Sequence, residues 1–327
     1  MSFRLLIVST GPSGEPNKGF HYEQWPRRLA EAVPGIEVDI ANTTDEAEIL
    51  IENADAAFGY VLPQVFVRAK KLRWIASPHA GPLAGFYHPA LIESDVVVTN
   101  TREIFNDHIG THIMSFVLAF ARGLHRYIPS QQRREWLRPA VKPVHLPEAT
   151  AVIVGVGGIG SETARFCAAF GMTVVGIDAR RTDVPPGVAE LLPADALAEA
   201  LPRGDFVIAT VPETPETRGM FRTEQFSLMK ESAFFINIGR GANVILDDLV
   251  AALESGTIAG AALDVFQIEP LPEDHLLWTA PGMLITPHVA GEGPYLEDRR
   301  TDLLVENCVR FSEGKLLKNV VDKKQWF

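Results

Sequence analysis

Arg240 follows the apolar run AFFINIG, Glu269 follows ALDVFQI and His288 follows MLITP, so each of these polar residues stands where a short strand-like segment ends. In an open α/β sheet that edge is where ligands bind. An arginine there can grip a carboxylate through two parallel N–H bonds and polarise a neighbouring carbonyl. A histidine can donate a proton to a carbonyl oxygen as hydride reaches the carbon, while a carboxylate beside it keeps it protonated and oriented. Singly, each residue has a plainer reading: a surface ion pair for Arg240, a loop charge beside Pro270 for Glu269, a loop histidine for His288. Their joint placement favours the chemical reading over the plainer ones: together they are what hydride transfer to a 2-keto acid would need.

A hydride donor must then be held nearby. The strand-like AVIVGV from Ala151 runs into Gly155, Gly157 and Gly160, a GxGxxG pattern, and Ile159, Thr163, Phe166, Cys167 and Phe170 continue it as an amphipathic helix that Gly171 can cap. Such a helix start offers unpaired N–H groups and a positive dipole end to a pyrophosphate, here from Gly158 and Ile159. The following apolar run ends in Asp178, 18 residues after Gly160, close to the spacing of a carboxylate that binds ribose hydroxyls. Asp178 favours NAD over NADP, although Arg180 and Arg181 follow it and are suited to a 2′-phosphate.

The elements that position these groups alternate strand with helix, the pattern of βαβ units and parallel sheet. A first series has strands from Phe3, Ile36, Ala56, Leu72 and Asp95, with helices around Gln24 to Val33 and Glu46 to Asn53. A long helix from Phe105 to Arg126, with Ile109, Ile113, Phe116, Val117 and Phe120 on one stripe, is predicted to bridge two domains. Arg138 to Glu148, with three prolines, reads as a loop. A second series begins at Ala151, Met172, Phe206, Ala233, Ile258 and Met283, and a last helix runs from about Tyr295 to Glu313. The fold class is therefore α/β: two doubly wound parallel-sheet domains, a flavodoxin-like one (1–101 plus 290–327) for substrate and a Rossmann one (102–289) for dinucleotide.

Composition narrows the partners. The 327 residues carry 30 Lys and Arg against 41 Asp and Glu, a formal net charge of -11, with no long block of one sign. Nucleic acid and anionic membrane surfaces are unsuited partners for such a surface. Cys167 and Cys308 lie far apart and form no CxxC pair, which argues against a disulfide framework or a zinc site and fits a reducing cytoplasm. The segment LLIV from Leu5 is too short for a signal-peptide core, and no apolar run reaches about 18 residues. The reading expects no membrane attachment and no targeting segment.

With these residues in place, the chain resembles the D-isomer-specific 2-hydroxyacid dehydrogenase family over nearly its full length, and glyoxylate/hydroxypyruvate reductases in particular. The resemblance rests on GVGGIG from Gly155, VPETPETRGMF from Val211, NIGRG from Asn237, ALDVFQIEP from Ala262, TPHVAG from Thr286 and NVVDKK from Asn319. It implies that Arg240 binds the substrate carboxylate, that His288 is the acid/base and that Glu269 pairs with it. It also implies that Asp264 holds the nicotinamide carboxamide, that Val211, Thr217 and Ile238 line the cofactor cleft, and that Ile109 packs near the nicotinamide. The loop SPHAG from Ser77 is similar to one whose backbone N–H groups meet the substrate carboxylate, here those of Ala80 and Gly81. A homodimer built on the bridging helix, with Trp136 reaching toward the neighbouring site, is implied as well, and no regulatory domain is expected after Phe327.

Several positions depart from the family pattern. Gly81 is followed by Pro82, which removes a donor and stiffens the loop, so substrate preference does not carry over; His79 and Phe86 read equally as residues that shape the pocket or as surface packing. Gly110 and Thr111 replace the usual Ala-Glu pair, flanked by His108 and His112 at i and i+4. Without a third ligand these histidines read as helix packing or hydrogen bonding, and no metal site is expected. The leading function is an NAD-dependent oxidoreductase of small 2-keto and D-2-hydroxy acids. Alternatives on the same fold are an NAD(H)-sensing binding protein similar to the C-terminal-binding corepressors, and phosphite dehydrogenase; formate dehydrogenase typically has glutamine where this chain has Glu269.

Overall fold

The computed structural model describes residues 2–11, 22–81, 85–138 and 141–324. Among the described residues there are twelve strands, all paired in parallel; most are short Val- and Ile-rich runs apolar on both faces, which buried parallel sheet accommodates, while Glu37–Ala41 and Glu190–Pro193 at the sheet edges are more exposed. In the first sheet the strands are β1 (Arg4–Val8), β2 (Glu37–Ala41), β3 (Ala56–Gly59), β4 (Trp74–Ala76) and β5 (Val97–Thr99), in the order β2-β1-β3-β4-β5. That is the flavodoxin-like order. Residues Met1–Ile104 and Gly293–Phe327 make up this compact unit. The helix Leu296–Ser312 returns to it late in the chain, burying Leu304 and Cys308 with Leu5, Ile7, Phe58 and Trp74 in one core cluster.

The second unit, Phe105–Glu292, is built on β6 (Thr150–Val154), β7 (Thr173–Asp178), β8 (Glu190–Pro193), β9 (Phe206–Ala209), β10 (Phe234–Asn237), β11 (Gly260–Leu263) and β12 (Met283–Ile285), in the order β12-β11-β10-β9-β6-β7-β8. The order reverses between β6 and β9, which defines the switch point of a Rossmann sheet. The register places Val154 opposite Ala209 and Asn237 opposite Leu263, so the loops that leave these strands start level with one another along a single edge.

Two elements differ from the sequence reading. The long helix spans Asn106–Ala121 and ends at Gly123, whose φ of 74° is left-handed; a second helix, Leu124–Gln132, follows. The apolar stripe hid this break because Leu124 and Ile128 continue the spacing on the far side of the glycine. The strand β8 was not foreseen: ELLP has little β-branched character and ends in proline, a residue that sheets accept at an edge. Cys167 and Cys308 are buried free thiols, and burial pushes the Cys167 thiol up to about 12. No helix among the described residues is long and apolar enough to cross a membrane.

Candidate active site

The glycine loop leaves β6 at the switch point. A Cβ on Gly160 would lie 2.0 Å from the carbonyl oxygen of Gly155, so only glycine lets the helix Gly158–Ala169 start this close to the strand. At Gly157 the same imaginary atom meets nothing within 4 Å, leaving open space in front of the helix start. Thr210, which follows β9, donates from Oγ1 to the Gly155 carbonyl at 2.5 Å and ties the two sides of the switch point together. Ile159 is half-buried behind the loop, while Gly157 and Gly158 are exposed.

Asp178 ends β7 half-buried, and its carboxylate accepts three backbone N–H groups: Val156 on Oδ2 at 2.8 Å, and Arg180 and Arg181 on Oδ1 at 2.9 Å each. It therefore organises the loop as well as facing it. The Arg181 guanidinium folds back, donating from Nη1 to the Val156 carbonyl (2.9 Å) and to Ser161 Oγ (2.7 Å) while Asp183 pairs with Nη2 at 2.9 Å.

The other end of the candidate site is made of side chains, held by both side-chain and backbone partners. Glu269 Oε2 lies 2.7 Å from His288 Nδ1, and its Oε1 accepts the Phe266 N–H at 2.8 Å, which fixes the carboxylate plane. The histidine is half-exposed and its Nε2 edge is the one left for a ligand; its φ of 55° is left-handed. Arg240 sits in the tight turn after β10. Asn237 accepts the Gly239 N–H (3.0 Å) and donates to the Arg240 carbonyl (3.0 Å), while Asn243 Oδ1 accepts the Arg240 N–H at 2.8 Å. Gly241 is required here because a Cβ would lie 1.9 Å from the Phe266 carbonyl carbon. Burial pulls the Arg240 guanidinium below its usual pKa, opposed by the charges of Glu213 and Glu269.

Asp264, 1% exposed, accepts from Thr286 Oγ1 (2.6 Å) and from the Val289 and Ala290 N–H groups (2.9 Å each), which leaves Oδ2 room for one further donor. Val211 and Thr217 lie half-buried in the loop after β9, where Thr217 Oγ1 donates to the Pro212 carbonyl at 2.7 Å. Ile238 is buried under the Arg240 turn, and Ile109 is half-buried on the helix Asn106–Ala121. His112, on the same helix, faces Thr286 at 3.0 Å. Gly110 lies against Phe166, so the departure from Ala-Glu is a packing feature.

In the first unit the loop after β4 is pinned through its carbonyls. Thr101 Oγ1 donates to Pro78 at 3.0 Å and Asn100 Nδ2 to Ala80 at 2.8 Å. Ala80 and Gly81 are half-buried in this loop; Pro82 lies outside the described residues. Phe86 is buried edge-on against Tyr60 and Tyr87 and belongs to the core, a correction to its reading as a pocket or surface residue. His79 is half-buried in the loop itself.

Sequence reasoning gave no role to Asn237, Asn243, Thr210 or Thr286, although Asn237 and Thr286 open two of the quoted motifs. The asparagines carried a signal: short amides on either side of Gly-Arg-Gly are suited to bond the backbone of a tight turn.

The chain belongs to the D-isomer specific 2-hydroxyacid dehydrogenase family, whose NAD binding domain its residues 114–290 match. It is 31% identical over 302 residues to D-3-phosphoglycerate dehydrogenase of Methanocaldococcus jannaschii, covering 90% of this chain and 57% of that protein. To glyoxylate/hydroxypyruvate reductase A of Photorhabdus laumondii it is 33% identical over 213 residues, 65% of this chain and 66% of the relative. The chain thus spans from a little over half to about two thirds of these relatives' length. A D-isomer specific 2-hydroxyacid dehydrogenase of Xanthobacter autotrophicus, solved with NADPH and MES, superposes with a TM-score of 0.85 at 29% identity, each chain covered in full.

Proposed function

We propose that this chain transfers a hydride between NAD(H) and a small 2-keto or D-2-hydroxy acid of the glyoxylate or hydroxypyruvate kind. The observation that carries the reading is the 2.7 Å contact between Glu269 and His288, with Arg240 in the turn after β10. The residues present suit a dinucleotide: open space before the Gly158 helix start for the pyrophosphate, Asp178 for the ribose, and Val211, Thr217, Ile238, Ile109 and Asp264 toward the nicotinamide. The bound dinucleotide supplies the hydride. Arg240 holds the substrate carboxylate; in the first unit, the N–H groups of Ala80 and Gly81 are the donors that the family resemblance implies. His288 donates a proton from Nε2 to the keto oxygen, and Glu269 accepts the Nδ1 hydrogen bond that keeps the ring aimed. In the oxidation direction neutral His288 takes the proton back.

NAD(H) is preferred in this reading over NADP(H), the form seen in the Xanthobacter complex. Asp178 repels a 2′-phosphate, and most of the Arg181 donors are committed to Val156, Ser161 and Asp183. A second copy of the chain is the proposed partner, because Trp136 is 94% exposed and Leu124, Ile128 and Leu137 near it are also exposed. Light scattering at micromolar concentration should give about twice 35.9 kDa; the monomer mass would remove that proposal. A screen of keto acids by absorbance, with NADH and NADPH in parallel, tests the reaction. Turnover of glyoxylate or hydroxypyruvate with NADH supports it. No turnover of any keto acid would favour the nucleotide-sensing alternative, and, in a parallel assay with NAD+ as the acceptor, oxidation of phosphite alone would favour phosphite dehydrogenase.

A further inference from the structure

His112 has no role in the reaction above, yet it is wired to it. Its Nε2 lies 3.0 Å from Thr286 Oγ1, and that hydroxyl lies 2.6 Å from Asp264 Oδ1. A carboxylate only accepts, so the single Thr286 proton goes to Asp264 and the hydroxyl can only accept from His112. His112 therefore carries hydrogen on Nε2. Its ring is fixed edge-on against Phe116 at 4.8 Å, and burial favours the neutral form against the opposing charge of Asp264, 3.8 Å away.

Asp264 passes this constraint on. Besides Thr286, it accepts the N–H groups of Val289 and Ala290, so one buried carboxylate holds the turn on both sides of His288. His288 is the residue in that turn with the left-handed φ of 55°. A residue with a Cβ stays in that region only where its surroundings over-determine it.

We propose that His112 is a positioning residue for His288: its Nε2–H fixes the Thr286 hydroxyl toward Asp264, and Asp264 thereby holds the turn that aims His288 at Glu269. The inference rests on the reading of His288 as proton donor, and it assigns the second histidine of the His108/His112 pair to hydrogen bonding.

Three variants test it on the full chain. His112→Leu removes the donor at similar bulk, His112→Gln keeps an N–H within reach of Thr286, and Thr286→Val removes the hydroxyl to be oriented. The leucine variant should lose about tenfold in kcat, the size of one hydrogen bond in a network, with NADH affinity unchanged and most of the loss restored in His112→Gln. In a Thr286→Val background His112→Leu should cost nothing more. With histidine labelled at 13Cε1, the His288 resonance, assigned by its loss in His288→Ala, should shift in His112→Leu and return in His112→Gln. If the leucine variant does not fold, His112→Asn, which withdraws the donor from Thr286, serves in its place. An unchanged kcat together with an unmoved His288 resonance, or losses from His112→Leu and Thr286→Val that simply add, would overturn the inference. A wild-type chain that reduces no keto acid sinks the proposed reaction instead, and the resonance comparison still decides the role of His112.

Discussion

The two ends of the second sheet's ligand edge solve the same problem by opposite means. Around Gly155 to Gly160 the functional groups are backbone N–H donors, and the side chains that matter are the ones missing: nothing larger than hydrogen fits at Gly160. Around His288 the proposed functional groups are side chains, held in part by other groups brought up to them: Glu269 accepts the backbone N–H of Phe266, and the His288 turn is held by the Asp264 carboxylate. A binding surface for a constant diphosphate can be cut from backbone, whereas a proton donor has to be carried on a side chain and then immobilised.

If that contrast is right, damage at the two ends should separate binding from turnover. The largest effect is expected from His288→Ala, which should lower kcat for keto-acid reduction by about 10² to 10⁴, the usual contribution of general acid catalysis. NADH affinity, followed by nicotinamide fluorescence, should stay nearly intact; a fully active variant would remove His288 from the mechanism. Gly160→Ala attacks the other end. The added carbon falls 2.0 Å from a backbone oxygen that no rotamer change can move, so the cost should reach at least about 1–3 kcal/mol of stability, as for overpacked sites. Thermal melts should show a lower Tm and fluorescence a lost NADH signal, and normal binding with normal Tm would refute the loop assignment.

The smallest effect sharpens the comparison, because Asp178 is a side chain working at the backbone end. Removing it in Asp178→Ala frees three N–H groups as well as the ribose contact. NADH affinity should fall by about tenfold, within the range for hydrogen bonds to a charged group, and NADPH should gain relative to NADH. A wild type that already prefers NADPH in titrations would break the NAD reading before any variant is made.

Much of this site could be read from residues in a row. Strand, glycine turn and helix at Ala151 to Gly171 are encoded locally, since apolar period, glycine freedom and helix capping act within a few residues of one another. Arg240, Glu269 and His288 were legible for a related reason: each follows an apolar run, and parallel strands put all their C-terminal ends on one edge. The break at Gly123 was local too, but it was masked by apolar spacing that continues across it.

The sequence by itself thus determined the two α/β units, the glycine loop, and the placement of Arg240, Glu269 and His288, the side chains proposed to react, after apolar runs. Only the tertiary structure decided how those side chains are held. His112 meets Thr286 across 174 positions and Asp264 grips residues 22 to 26 positions on, contacts that no local periodicity marks. A buried polar group must find its partner wherever the packed chain brings one, so the pairing of Asp264 with Thr286, Val289 and Ala290, and of Asp178 with the Val156 N–H, follows from sheet order and register.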